Sequence, residues 1–157
     1  MVFKNQKQLE DFLMAKCKNA IIQAEEKVHQ TIDNCLKQFY NEFSPDEYIR
    51  TEQLLHSLVK SDVKESGNGF EVEVYFDVDG LNYPKGETEL QSGRKGYANW
   101  NKDTILDVAM TGSYGGLPHG GYAEGTAIWT ESIKRLGDVY GLLERELRAQ
   151  GIPIKKK

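Results

Sequence analysis

From Gln6 to Phe43 the chain carries one apolar stripe that no glycine or proline interrupts. Leu9, Phe12, Leu13, Cys17, Ala20, Ile21, Ala24, Val28, Ile32, Cys35, Leu36, Phe39 and Phe43 recur at steps of threes and fours, with Lys, Glu and Gln on the other side. That is the 3.6-residue period of an amphipathic helix, and Ser44-Pro45 supplies the stop. At 1.5 Å per residue, about 35 helical residues span about 50 Å, whereas a compact domain of this size has a radius of gyration of about 15 Å. Part of such a helix overhangs its domain unless a kink folds it back. An overhanging apolar stripe needs a partner to cover it, so the pattern points to an oligomer or a larger assembly.

The remaining chain reads differently, because all 15 glycines lie between Gly67 and Gly151. After Pro45, the residues Asp46 to Leu58 read as a turn and a short helix, with Thr51 as its expected cap. Val59 to Lys64 reads as the first arm of a hairpin, turned by Ser66-Gly67-Asn68-Gly69. In the second arm Phe70, Val72, Val74, Phe76 and Val78 alternate with Glu71, Glu73, Tyr75 and Asp77, which predicts a buried even face and an acidic outer face. Residues 79–101 read as a glycine-rich polar loop, Asp103 to Met110 as a short helix, and Gly115 to Tyr122 as loop again. A last helix is expected from Ala127 to Gln150, packed through Trp129, Ile133, Leu136, Tyr140, Leu143 and Leu147 and closed by Gly151-Ile152-Pro153. Gly137 and Gly141 share one face of that helix, which suits close approach of a second backbone, plausibly the first helix, or tolerated surface glycines. The expected fold is therefore α+β: a long N-terminal helix and a C-terminal helix packed on a small antiparallel sheet. With 157 residues, 39% hydrophobic and 28% charged, the chain is expected to form a single domain, 1–157, in segments 1–43, 44–78, 79–126 and 127–151.

Chemistry is hard to find in this sequence. No apolar run approaches the roughly 18 residues of a membrane span, and Met1 to Asn5 lacks the pattern of an export signal, so no membrane partner is expected. Cys17 and Cys35 would lie about 27 Å apart on one helix, beyond any disulfide, and fit core packing in a reducing compartment. The net charge of -4 offers no bulk surface for nucleic acid, although Lys155, Lys156 and Lys157 form a short basic tail. Three histidines, His29, His56 and His119, are the only neutral-pH bases, and none has a second ligand at zinc spacing. Gly112-Ser113-Tyr114-Gly115-Gly116 lacks the following Lys-Ser or Lys-Thr of a phosphate loop, and no nucleophile elbow is present. No catalytic, cofactor-binding or metal residue is therefore assigned, and no cofactor is expected. The acidity concentrates in residues 44–100, with six basic and eleven acidic side chains. A contact surface is the simpler use for it.

The order of these pieces resembles the tail-completion or head-tail joining proteins, minor tail or minor capsid components, of long-tailed bacteriophages and prophages. The resemblance rests on Ser44-Pro45-x-x-Tyr48-x-Arg50-Thr51-x-x-Leu54-x-x-Ser57 after the long helix, and on Tyr122-Ala123-Glu124-Gly125-Thr126 before the last one. Arg50-Thr51 is followed by Glu52 where the family usually has Gly, and the 79–101 segment is an addition to the simplest pattern. Trp129-Thr130-Glu131-Ser132-Ile133 looks more like the branch from Gram-positive prophages. The resemblance implies a non-enzymatic virion protein that forms a homo-oligomeric ring, contacts other phage tail or neck proteins, and resides in the bacterial host cytoplasm during assembly and then in the virion. It carries interface roles to Arg50, Thr51, Tyr122 and Glu124; Glu71, Glu73 and Asp77 join them as the acidic face. Tyr97, Trp100, Tyr122 and Trp129 are aromatic anchors for core or interface, with Trp129 expected in the core. The acidic middle also permits a second class, a DNA-mimicking inhibitor of a host defence nuclease. A hydrolase built around His119 is a third and weaker reading.

Overall fold

The computed structural model describes residues 2–42, 52–67, 69–81 and 128–154, together with four short strand segments within 86–118. The first helix, α1, runs from Gln6 to Glu42, 37 residues without a break, as the uninterrupted stripe requires. Its start is fixed by side chains: Asn5 Oδ1 accepts from the Gln8 N–H at 2.9 Å, and Gln8 Oε1 accepts from the Lys4 N–H at 2.9 Å. These two bonds satisfy donors that a bare helix start would leave to water. Phe3 then folds back so that its ring lies 5.2 Å from that of Phe12.

A single turn of helix, α2 (Gln53–His56), follows. Its cap position is held by Glu52 at φ 57 with no side-chain cap bond. Thr51, expected there, lies outside the described residues. Strands β1 (Leu58–Lys60), β2 (Lys64–Ser66), β3 (Gly69–Glu71) and β4 (Val74–Phe76) form two antiparallel arms, β1 with β4 and β2 with β3. Gly67 and Asn68 lie between the ends of β2 and β3 in sequence, where the turn was expected. Between the two pairs the ladder shifts. Lys64 faces Glu71, but Ser61 donates its N–H to the Glu73 carbonyl at 2.9 Å, so the first strand carries one extra residue, a β-bulge. Ser61 Oγ accepts from the Glu73 N–H at 2.9 Å and so closes the gap. The alternation of residues 70–78 holds, with odd residues exposed, but the even ones are half-buried and not fully covered.

Residues 79–101, expected to be loop, contain a hairpin of β5 (Gly86–Glu89) and β6 (Lys95–Ala98) in the register Glu87↔Tyr97. Its polar strands offer no apolar alternation in sequence, which is why the hairpin was not expected. Strands β7 (Ser113–Tyr114) and β8 (Leu117–Pro118) pair across the sequence Gly115-Gly116, a dipeptide favoured in tight turns. The helix expected over Asp103 to Met110 lies outside the described residues.

The last helix is two helices, α3 (Ile128–Leu136) and α4 (Val139–Ala149). Gly137 separates them at φ +65, and Asp138 caps α4 by accepting the Tyr140 N–H at 3.0 Å. The shared-face explanation of the two glycines is therefore replaced. Among the described residues nothing comes within 4 Å of where a Gly137 Cβ would be, and a Gly141 Cβ would meet the capping Asp138 Oδ2 at 2.9 Å. Gly137 serves the left-handed turn and Gly141 leaves room for the cap. Gly137→Ala should cost about 1 to 2 kcal/mol, because a Cβ crowds the left-handed conformation; thermal unfolding followed by circular dichroism measures it. At its far end α4 closes as the sequence indicates: Gly151 N–H donates to Arg148 O at 2.9 Å and Ile152 N–H to Leu147 O at 3.0 Å, with Gly151 at φ +82.

The described parts are those of the expected class, α+β, with a long N-terminal helix, a C-terminal helical segment and small antiparallel strand pairs. The chain divides into two compact units, and the division passes through α1 after Gln30 and through the β1–β4 pair. The first unit holds residues 1–30, 60–74 and 136–157. Here Ala20 and Ala24 are buried on α1 and Leu142 on α4, and Lys27 Nζ meets the buried carboxylate of Glu146 at 2.5 Å. The second unit holds residues 31–59 and 75–135. Its buried side chains include Ile32, Cys35, Leu36 and Phe39 of α1, Leu54, Leu58 and Leu81, and Ile128 and Ser132 of α3. Arg135 donates to Gln38 Oε1 and to Glu131 Oε1, the latter at 2.9 Å.

Candidate interaction surface

The α1 stripe is buried or half-buried from Ala20 to Phe39 but opens toward its N-terminus, where Leu9 and Leu13 are each 39% exposed and Met14 is exposed beside them. Leu9 and Leu13 are one turn apart, as are Glu10 and Met14 in the next row, so the four residues make one patch with a carboxylate in it. Glu10 accepts from Gln6 Nε2 at 2.6 Å.

A second apolar patch lies on α3, where Trp129 is 53% and Ile133 49% exposed. The expectation that Trp129 belongs to the core is thus corrected. Ile128 and Ser132 take the buried positions, one residue before those of the expected stripe, and on α4 Leu142 and Glu146 are likewise buried where Leu143 and Leu147, both half-buried, were expected. Beside the Trp129–Ile133 row run Thr130 and Lys134, both exposed. Arg135 holds the Glu131 carboxyl below the usual carboxylate range, while Lys134 Nζ stays 3.7 Å from Glu131, beyond hydrogen-bond distance. On α4, Val139 and Tyr140 are exposed as well.

The acidic strand face contains Glu71, Glu73 and Asp77, all exposed, with Lys64 Nζ 3.3 Å from Glu73. Tyr97 stands in β6 opposite Glu87. Arg50, Thr51, Trp100, Tyr122 and Glu124 lie outside the described residues, as does His119. His29 is half-buried, and His56 is exposed with Nε2 4.0 Å from Glu52. No group of three His, Cys, Asp or Glu able to hold a metal ion occurs among the described residues. Cys17 and Cys35 are free thiols, half-buried and buried. Among the described residues no helix is long and apolar enough to cross a membrane.

Two ionic features belong to the first unit. Lys60 pairs with Glu26, which lowers the Glu26 carboxyl and raises the Lys60 ammonium. One residue away Glu25 is buried, its Oε1 has no hydrogen-bond partner, and burial raises its carboxyl above the ordinary range despite the nearby Lys60. Sequence reading missed Glu25, since it stands among polar residues of a helix whose covered face is set by other parts of the chain.

The described molecule is of a recognisable class: an α+β protein whose long helix bears an apolar stripe covered over only part of its length. A family model named YomN matches residues 5–150, so the chain belongs to the YomN family, which is phage- or prophage-associated. Comparisons with curated proteins and with solved structures each return no match.

Proposed function

We propose that this protein is a non-enzymatic structural component of a phage tail or head-tail connector, working through ring-type contacts among its own copies and with neighbouring tail or neck proteins. The observation that carries the reading is the open N-terminal end of the α1 stripe in a member of a phage-associated family. Apolar surface gains about 25 cal/mol per Å² when removed from water, so an assembly that covers Leu9, Leu13 and Met14 is favoured over a free subunit. The exposed Glu71, Glu73 and Asp77 suit a surface past which DNA moves, because like charges keep phosphates from sticking. Assembly takes place in the bacterial host, and the protein then stays in the virion.

Light scattering over a concentration series, with negative-stain imaging of the heaviest species, tests this. The expected result is a mass several times that of the 17.8 kDa chain and closed rings. A monomer at every concentration, alone and with purified tail proteins, would overturn it.

A further inference from the structure

We draw no further inference here: the strongest candidate, the exposed apolar face of α1 formed by Leu9, Leu13 and Met14, is bordered by exposed charges of both signs, Lys7, Glu10, Asp11 and Lys18, and nothing in the structure shows what covers it.

Discussion

Replacing Leu36 by Ala is expected to cost about 2 to 5 kcal/mol of unfolding free energy, the largest loss among the single substitutions considered. Leu36 is wholly buried, in the run of α1 that also buries Ile32, Cys35 and Phe39. Truncation there removes three carbons from apolar surroundings and leaves a void that a helix packed along its length cannot collapse into. Leu13→Ala makes the same chemical change on the same helix, but Leu13 is 39% exposed and its loss should stay under about 1 kcal/mol. The contrast is the measurement: urea unfolding followed by circular dichroism on both variants at one pH. At about 2 to 4 °C per kcal/mol for a chain of this size, Leu36→Ala should melt about 4 to 20 °C lower than wild type. Equal losses for the two substitutions would contradict the placement of the covered end of α1.

The length of α1 is legible in the sequence because nothing in residues 6–42 competes with the helical period, and the Gly151-Ile152-Pro153 stop is legible because its bonds are local. The strand alternation of residues 70–78 reads correctly for the same reason. What fails depends on the rest of the molecule. The spacing of Trp129, Ile133, Leu136, Tyr140, Leu143 and Leu147 runs unbroken across Gly137, but the backbone turns left-handed there, and the buried residues, Ile128 and Ser132 on α3 and Leu142 and Glu146 on α4, each precede an expected position by one. The bulge at Ser61 leaves no periodic trace, since a hydroxyl takes over one place in the backbone ladder. The candidate surface was legible only in part: that the long stripe needs more cover than one small core offers follows from its length, whereas which end is open, and that Trp129 is outside, follow from what the other elements cover. The interface residues carried by resemblance, Arg50, Thr51, Tyr122 and Glu124, fall in segments outside the described residues.

Replacing Glu25 by Met is expected to stabilise the protein at neutral pH by about 1 to 3 kcal/mol, the scale of leaving a buried polar group without a partner. Its carboxylate is buried and one oxygen has no partner, and Lys60, the positive charge that acts most on it, is already bonded to Glu26. Burial raises the folded carboxyl above its ordinary value of 4.5. The folded protein therefore binds the Glu25 proton more tightly than the unfolded chain does. Well below 4.5 both states are protonated and no ionic penalty exists; as pH rises through 4.5 and on through the raised folded value, the unfolded chain ionises first and native stability falls. The advantage of Glu25→Met should thus be small in acid, grow across that window and level off above it. Glu25→Gln removes the charge but keeps a polar amide at the buried position, so its advantage over wild type should follow the same pH dependence and lie below that of Met. Unfolding free energies at a series of pH values, referred to wild type at each pH, decide the matter. A constant difference between Glu25→Met and wild type from acid to neutral pH would mean that the Glu25 charge reaches solvent, and the buried carboxylate with its unpartnered Oε1 would have to be abandoned.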